Sequence, residues 1–253
     1  MLKKRIIPVL QLTNESLVKT KKFKVKRYLG DPLNAIRIFN EKFVNELVIV
    51  DISVSENNDA INFEHLNEIA SECFIPLAYG GGVRTIDDAR KILNLGFEKI
   101  IINSSFIKNP TFITTLAKYI GSQSSVVSID YKYNYFNKPF VYSKHLTRNS
   151  IKCPLKLAIS AEKLGAGEVF INCVSNDGRR NGIDLEFIKS VHAKLTIPLM
   201  PCGGVGCYEH IHDVINSGIN ACCAGSYFSL SGYNSAVLIT YLSDKQLSTL
   251  NSL

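Results

Sequence analysis

Two hydrophobic periods alternate along the chain. Short apolar runs with the twofold period of a strand stand near Arg5 to Leu10, Glu46 to Val50, Phe74 to Ala78, Lys99 to Asn103, Ser125 to Asp130, Glu168 to Cys173, Pro198 to Pro201 and Ala221 to Gly225. Helical start and stop signals fill the gaps. Asp31-Pro32 offers an N-cap and a proline at the first helical position ahead of "LNAIRIFNEK". Thr85 precedes "IDDARKILNLG", which has acids in its first turn and Gly96 as its stop; Gly165 and Gly218 are similar stops. Eight successive βα units predict an α/β protein whose parallel sheet closes into a (β/α)₈ TIM barrel.

A long internal repeat supports closure. "IPLAYGGGVRTIDDARKILNLGFEKIIINSSF" begins at Ile75 and "IPLMPCGGVGCYEHIHDVINSGINACCAGSYF" at Ile197, an offset of 197 − 75 = 122 with no gap. "ELVIVD" from Glu46 and "EVFINC" from Glu168 keep that offset. The pattern predicts two fused half-barrels, residues 1–122 and 123–253, within a single domain spanning 1–253. No linker or low-complexity stretch interrupts it.

Strand parity then sorts the polar residues. Arg5, Ile7, Val9 and Gln11 share one side of their strand, as do Lys99, Ile101 and Asn103, and Glu168, Phe170 and Asn172. If Gln11 and Asn103 face the mouth, Arg5, Glu46, Lys99 and Glu168 ring the floor with alternating charge. Such charges must pair to survive in a core. A stabilising ion-pair plug and a polar gate to an axial channel both fit.

Glycine-rich turns follow the strands where such a barrel carries its site. Gly80-Gly81-Gly82 and Asn103-Ser104-Ser105 in the first half are matched by Gly203-Gly204 and Gly225-Ser226 in the second. Backbone N–H groups at turns of this kind hold phosphate. Two equivalent pockets predict a substrate with an anionic group at each end; tight packing alone is the competing explanation.

Composition narrows the field. At 253 residues, 46% hydrophobic and 20% charged, the chain has the make-up of a globular protein with a sizeable core. The start "MLKKRIIPVL" is too short in apolar residues for a secretion signal and no run would span a membrane, so a cytoplasmic location is expected. Seven cysteines without a CxxC pair predict neither a metal site nor a disulfide framework. The net charge of +7 is concentrated in "KTKKFKVKR", Lys19 to Arg27, and no nucleic-acid-binding motif accompanies it. That segment reads as a mobile basic loop drawing in a phosphorylated metabolite, or as a plain solvated loop.

Taken in order, "KRIIPVL", "GDP", "IPLAYGGGVRT", "KIIINSS", "GSQ", "SID", "LGAGE", "DG" and "GGVG" resemble the cyclase subunit of imidazole glycerol phosphate synthase, over nearly the whole chain. The resemblance implies a barrel of the ribulose-phosphate-binding type and a lyase without a cofactor. It also implies a heterodimer with a glutaminase docked on the N-terminal face, whose ammonia crosses the barrel. Arg5, Glu46, Lys99 and Glu168 match the family's gate. Gly81, Gly82, Asn103 and Ser104, with Gly203, Gly204, Gly225 and Ser226, match its two phosphate sites. Lys19 matches the lysine of its flexible first loop, and "NDG" supplies Asp177 and Gly178.

One position departs. The family's cyclases use two carboxylates; this chain keeps Asp130 and has Gln11 in place of the other. An amide cannot shuttle protons near neutral pH, and a positioned acid or base is worth about 10²–10⁴ in rate. With "LVKTKKFKVKRYLGDPLNAIRIFNEK", this looks like a paralogous branch associated with surface-polysaccharide biosynthesis, in which ammonia amidinates an anionic or nucleotide-activated sugar. True imidazole glycerol phosphate synthesis, the sister isomerase barrel and a non-catalytic scaffold are the other readings. His65, His192, His210 and His212 fall in helical patterns and His145 in a variable segment, without a ligand set. Asp51 reads as a strand-end structural carboxylate, and Cys202 and Cys207 as unactivated thiols.

Overall fold

A computed structural model describes residues 4–57, 59–143, 146 and 152–253. The barrel strands are β1 (Arg5–Thr13), β2 (Leu47–Asp51), β3 (Leu77–Gly80), β4 (Lys99–Ile102), β5 (Ser125–Tyr133), β6 (Glu168–Cys173), β7 (Leu199–Cys202) and β8 (Ala221–Ala224). Parallel ladders run from β1 through β7 in chain order, and β8 pairs with β1 across Arg5 and Ala221. β7 and β8 lie in contact and complete the ring. The eight predicted units are all present.

The apolar periods divide into two cores. One set of strand side chains, with Ile6, Leu10, Ile49 and Ile102 among them, packs against the surrounding helices. The opposite set, including Ile7, Val9, Val48, Ile101, Phe170 and Met200, fills the barrel interior. Burying such side chains is worth about 1.5–3 kcal/mol each relative to exposure. The interior between floor and mouth is therefore lined by apolar side chains.

The repeat carries through to structure. Helix Ile86–Asn94 has its counterpart in Tyr208–Asn216, and β3 and β4 have theirs in β7 and β8, each 122 residues on. Thr85 caps its helix with a reciprocal Asp88 contact, whereas Cys207 at the equivalent place makes no side-chain cap.

Several strand ends differ from the sequence expectation, and the larger differences have physical reasons. The third strand begins at Leu77 rather than Phe74, because Phe74 and Pro76 lie exposed on the floor side before the ladder starts. β1 runs on to Thr13, because its end pairs with a further strand, Ser16–Lys21. That strand folds back antiparallel on Val25–Gly30, so the basic segment expected as a mobile loop is a β-hairpin over the mouth. A second hairpin joins Tyr131–Tyr133 to Pro139–Val141. His145 lies outside the described residues.

Candidate functional site

At the N-terminal ends of the strands four charges form a closed ring. Arg5 Nη1 donates to Glu46 Oε2 at 2.7 Å and to Glu168 Oε1 at 3.2 Å. Lys99 Nζ donates to Glu46 Oε1 at 2.9 Å and to Glu168 Oε1 at 3.0 Å. Each residue thus bonds both neighbours. Residue parity puts them there: Arg5, Lys99 and Glu168 open β1, β4 and β6, and Glu46 immediately precedes β2. Burial disfavours the Arg5 cation, but the two carboxylates prevail and hold its pKa above the ordinary value.

Along β1 the inward residues run Arg5, Ile7, Val9, Gln11, about 20 Å from floor to mouth at about 3.3 Å per residue. The mouth is a cavity of about 710 Å³. Gln11, Lys19, Gly81, Gly82, Asn103, Ser104, Asp130, Asp177, Gly178, Gly203, Gly204, Gly225 and Ser226 all line it. The residues selected for chemistry therefore separate cleanly, four at the floor and the rest at the mouth.

Asp130 sits at the centre, accepting from Asn103 Nδ2 at 2.9 Å and Asn172 Nδ2 at 3.3 Å. Burial raises its pKa to about 7; nearby Asp177 adds to the rise, while Asn172, Asn103 and Lys132 oppose it. A carboxyl poised there can both take and give a proton at neutral pH.

Ladder register shows that Gln11 is its counterpart. Gln11 stands opposite Val50 and Asp130 opposite Asn172, and Val50 and Asn172 are themselves related by the offset of 172 − 50 = 122. The two positions differ in their surroundings. Asp130 has an amide beside it where Gln11 has a valine. Gln11 Oε1 accepts from Thr20 N at 3.0 Å and Lys19 Nζ at 3.2 Å, so its carbonyl end is committed to the hairpin.

Lys19 is not on a solvated loop. It is buried in the first hairpin strand, with Nζ 2.7 Å from Asp177 Oδ1, and Thr20 Oγ1 donates to Asp177 Oδ2 at 2.7 Å. Gly178 comes next with φ +70, and a Cβ there would stand 2.4 Å from Thr20 O. Glycine is required for the hairpin to close this tightly.

In the turns, Gly82 (φ +66) and Gly204 (φ +109) occupy equivalent left-handed positions. A Cβ at Gly82 would reach 2.0 Å from Val54 Cγ1, so packing as well as open N–H groups explains the glycine. The Ser226 hydroxyl is buried without a hydrogen-bond partner.

Other groups fall out as ordinary. Asp51 accepts from Ser53 N at 3.0 Å and Ser53 Oγ at 2.6 Å, a strand-end structural role as its parity suggested. Burial raises the Cys202 thiol to about 12 and raises Cys207 as well. His65, His192, His210 and His212 are half-buried on separate faces of helices, and no metal-ligating cluster occurs among the described residues. No helix among them is long and apolar enough to cross a membrane. Sequence reasoning missed Thr20 and the cations Arg84 and Lys108, which also line the cavity.

Comparison with known proteins agrees with this geometry. Residues 5–234 match the family described as histidine biosynthesis protein. A Leptospira borgpetersenii protein, provisionally named imidazole glycerol phosphate synthase subunit HisF, is 44% identical over 95% of this chain and 96% of its own. A Pseudomonas aeruginosa protein, provisionally named subunit hisF2 of the same synthase, is 41% identical over the same shares. The imidazole glycerol phosphate synthase subunit HisF of Oceanobacillus iheyensis is 34% identical over 98% of both chains. With its barrel, its duplicated turns and its inward carboxyl, the chain belongs to the histidine biosynthesis protein family, among the HisF-like subunits of imidazole glycerol phosphate synthase.

Proposed function

We propose that this chain is the synthase subunit of a two-component glutamine amidotransferase. A glutaminase docks on the floor, ammonia passes between Arg5, Glu46, Lys99 and Glu168, and it emerges at the mouth beside Asp130. The observation that carries this reading is the closed four-residue ring set directly below the apolar interior and on the opposite end from the cavity. A ring of paired charges is a poor use of a barrel floor for stability alone, since buried ion pairs barely repay their desolvation.

The acceptor in this proposal is an anionic or nucleotide-activated sugar that is amidinated in the cytoplasm for surface-glycan synthesis. Support comes from Gln11, whose amide is tied to the hairpin and cannot relay protons, and from the cavity's paired glycine turns. Relatives at 39–41% identity carry hisF2 or hisF3 names and two at 42–44% are provisionally named HisF, while one named HisF without reserve lies at 34%. The test is to mix the purified barrel with the cognate glutaminase and follow glutamine hydrolysis. Association with stimulated hydrolysis is expected; neither occurring would remove the proposal.

A second reading, imidazole glycerol phosphate synthesis itself, is favoured by Asp130, whose carboxyl near neutrality suits ring closure. Complementation of a histidine auxotroph decides between them, with no growth expected.

A further inference from the structure

Because the halves are duplicated, the two glycine turns proposed to be anion pockets can be compared position by position, and any polarity between them rests on that proposal. At the first turn Arg84 and Lys108 line the cavity. Their counterparts 122 residues on are Gly206 and Leu230, which carry no charge. Both cations are exposed at the rim, and neither has a carboxylate within ion-pairing distance among the described residues. The Arg84 guanidinium lies 3.5 Å from Val54 O, a neutral acceptor. Asp51, the acid on that side of the cavity, is occupied by Ser53.

The second turn is different in kind. On this side the cation that lines the cavity is Lys19, whose Cε lies 3.3 Å from where a Gly225 Cβ would stand, and that ammonium is neutralised by Asp177 at 2.7 Å; the Arg180 guanidinium, bonded to Gly206 O at 3.5 Å and Gly232 O at 3.1 Å, packs behind the turn and does not line the cavity. What remains facing the cavity is neutral: the glycine backbone and the buried Ser226 hydroxyl, which lacks a partner and is available to donate.

We infer that the acceptor binds with a fixed polarity: its more highly charged end, a terminal phosphoryl or diphosphoryl group, lies against Arg84 and Lys108, and its less charged end lies against Ser226. A guanidinium presents paired donors that match phosphate oxygens, and an unpaired ammonium adds a point charge. A hydroxyl with backbone donors suits an oxygen of lower charge. The substrate is thus an unsymmetrical bis-anion, oriented over Asp130 by the difference between its ends.

Calorimetric titration of the full chain with inorganic phosphate and, separately, pyrophosphate tests this. Two phosphate sites are expected, the tighter one preferring pyrophosphate and weakening more steeply with salt, as exposed cations dictate. Arg84→Gln with Lys108→Gln weakens the tighter site about tenfold or more, the worth of one or two charge-assisted contacts. Ser226→Ala weakens only the other. The inference is overturned if the double variant leaves the tighter site unchanged, if Ser226→Ala abolishes that site instead, or if the wild-type chain binds no phosphate. Because Arg84 and Lys108 are exposed, the variant keeps its fold, checked by an unchanged Tm. Glutaminase stimulation is read separately: its persistence in a chain that binds no phosphate sinks the polarity and spares the ammonia route, whereas its absence in a chain that binds phosphate at two unequal sites sinks the ammonia route and spares the polarity.

Discussion

Lys19 and Asp177, drawn from opposite halves of the sequence, meet as a buried ion pair with Nζ 2.7 Å from Oδ1. The pair fastens the hairpin to the mouth. Lys19→Met leaves the carboxylate uncompensated and is expected to cost about 3 kcal/mol, the lower range for breaking a buried pair. Pairing it with Asp177→Leu should recover part of the loss. Denaturant unfolding of the single and double variants measures the coupling, and additive losses would show that the contact contributes nothing.

Gln11→Asp places a carboxylate where Asp177 already competes for Lys19, on a side chain one methylene shorter. The variant is expected to gain no imidazole glycerol phosphate synthesis, because the hairpin contacts to position 11 leave it facing Lys19 and Thr20. An ammonia-dependent cyclase assay checks this. Activity in the variant would mean that the mouth still accepts the family's substrate.

Asp130 makes stability fall as pH rises. Its folded pKa, about 7, exceeds the ordinary 3.8, so between those values the folded state binds more protons than the unfolded one. Its contribution is complete below about pH 4 and is lost as pH climbs through 7. Asp130→Asn removes the dependence. Going from pH 5 to pH 8, wild type should lose on the order of 1–2 kcal/mol relative to the variant, since a unit of pKa is worth about 1.4 kcal/mol and the open cavity screens part of it. Urea melts at both pH values test the sign. In activity, the same group predicts an inflection near pH 7.

The floor ring predicts a double-mutant signature. Arg5→Met alone strands Glu168 and Glu46 on Lys99, whereas Arg5→Met with Glu168→Leu leaves the intact Glu46–Lys99 pair at 2.9 Å. The double variant should therefore be more stable than the single one, by about 1–3 kcal/mol, the usual range for coupled neighbours. Thermal unfolding reads the order; a less stable double variant would contradict the ring.

Phe43 stands in the left-handed region at φ +50 while 87% exposed. A side chain there costs about 1 kcal/mol with little burial in return. Phe43→Gly should raise Tm by about 2–4 °C for a chain of this size. A fall would show that the ring makes contacts that stabilise the fold.

Much of the fold and site was legible in the residues, for definite reasons. Strand parity turns Arg5, Lys99, Glu168 and Gln11 into the barrel, because side chains alternate with a period of two, and their places along the strands set the first three at one end and Gln11, with Asp130, at the other. The first hairpin was not legible. Its turn uses Lys22 and Phe23 at φ +54 and +59, where Asn-Gly is the usual signal, and its lysines mask the strand period. Thr20 escaped notice because its partner Asp177 is distant in sequence and meets it only once the chain is folded. Arg84 and Lys108 were readable from the repeat by asking which positions lack a counterpart in the other half.

The floor ring also says something about how the halves recognise each other. Arg5, Glu46 and Lys99 come from the first half and Glu168 from the second, so neither half closes the circuit by itself. A ring assembled from two copies of the first half would set four cations against two carboxylates. Charge at the base of the barrel balances only when the amino-terminal part meets the carboxy-terminal one, so the ring favours the unlike partner over a second copy of the same segment.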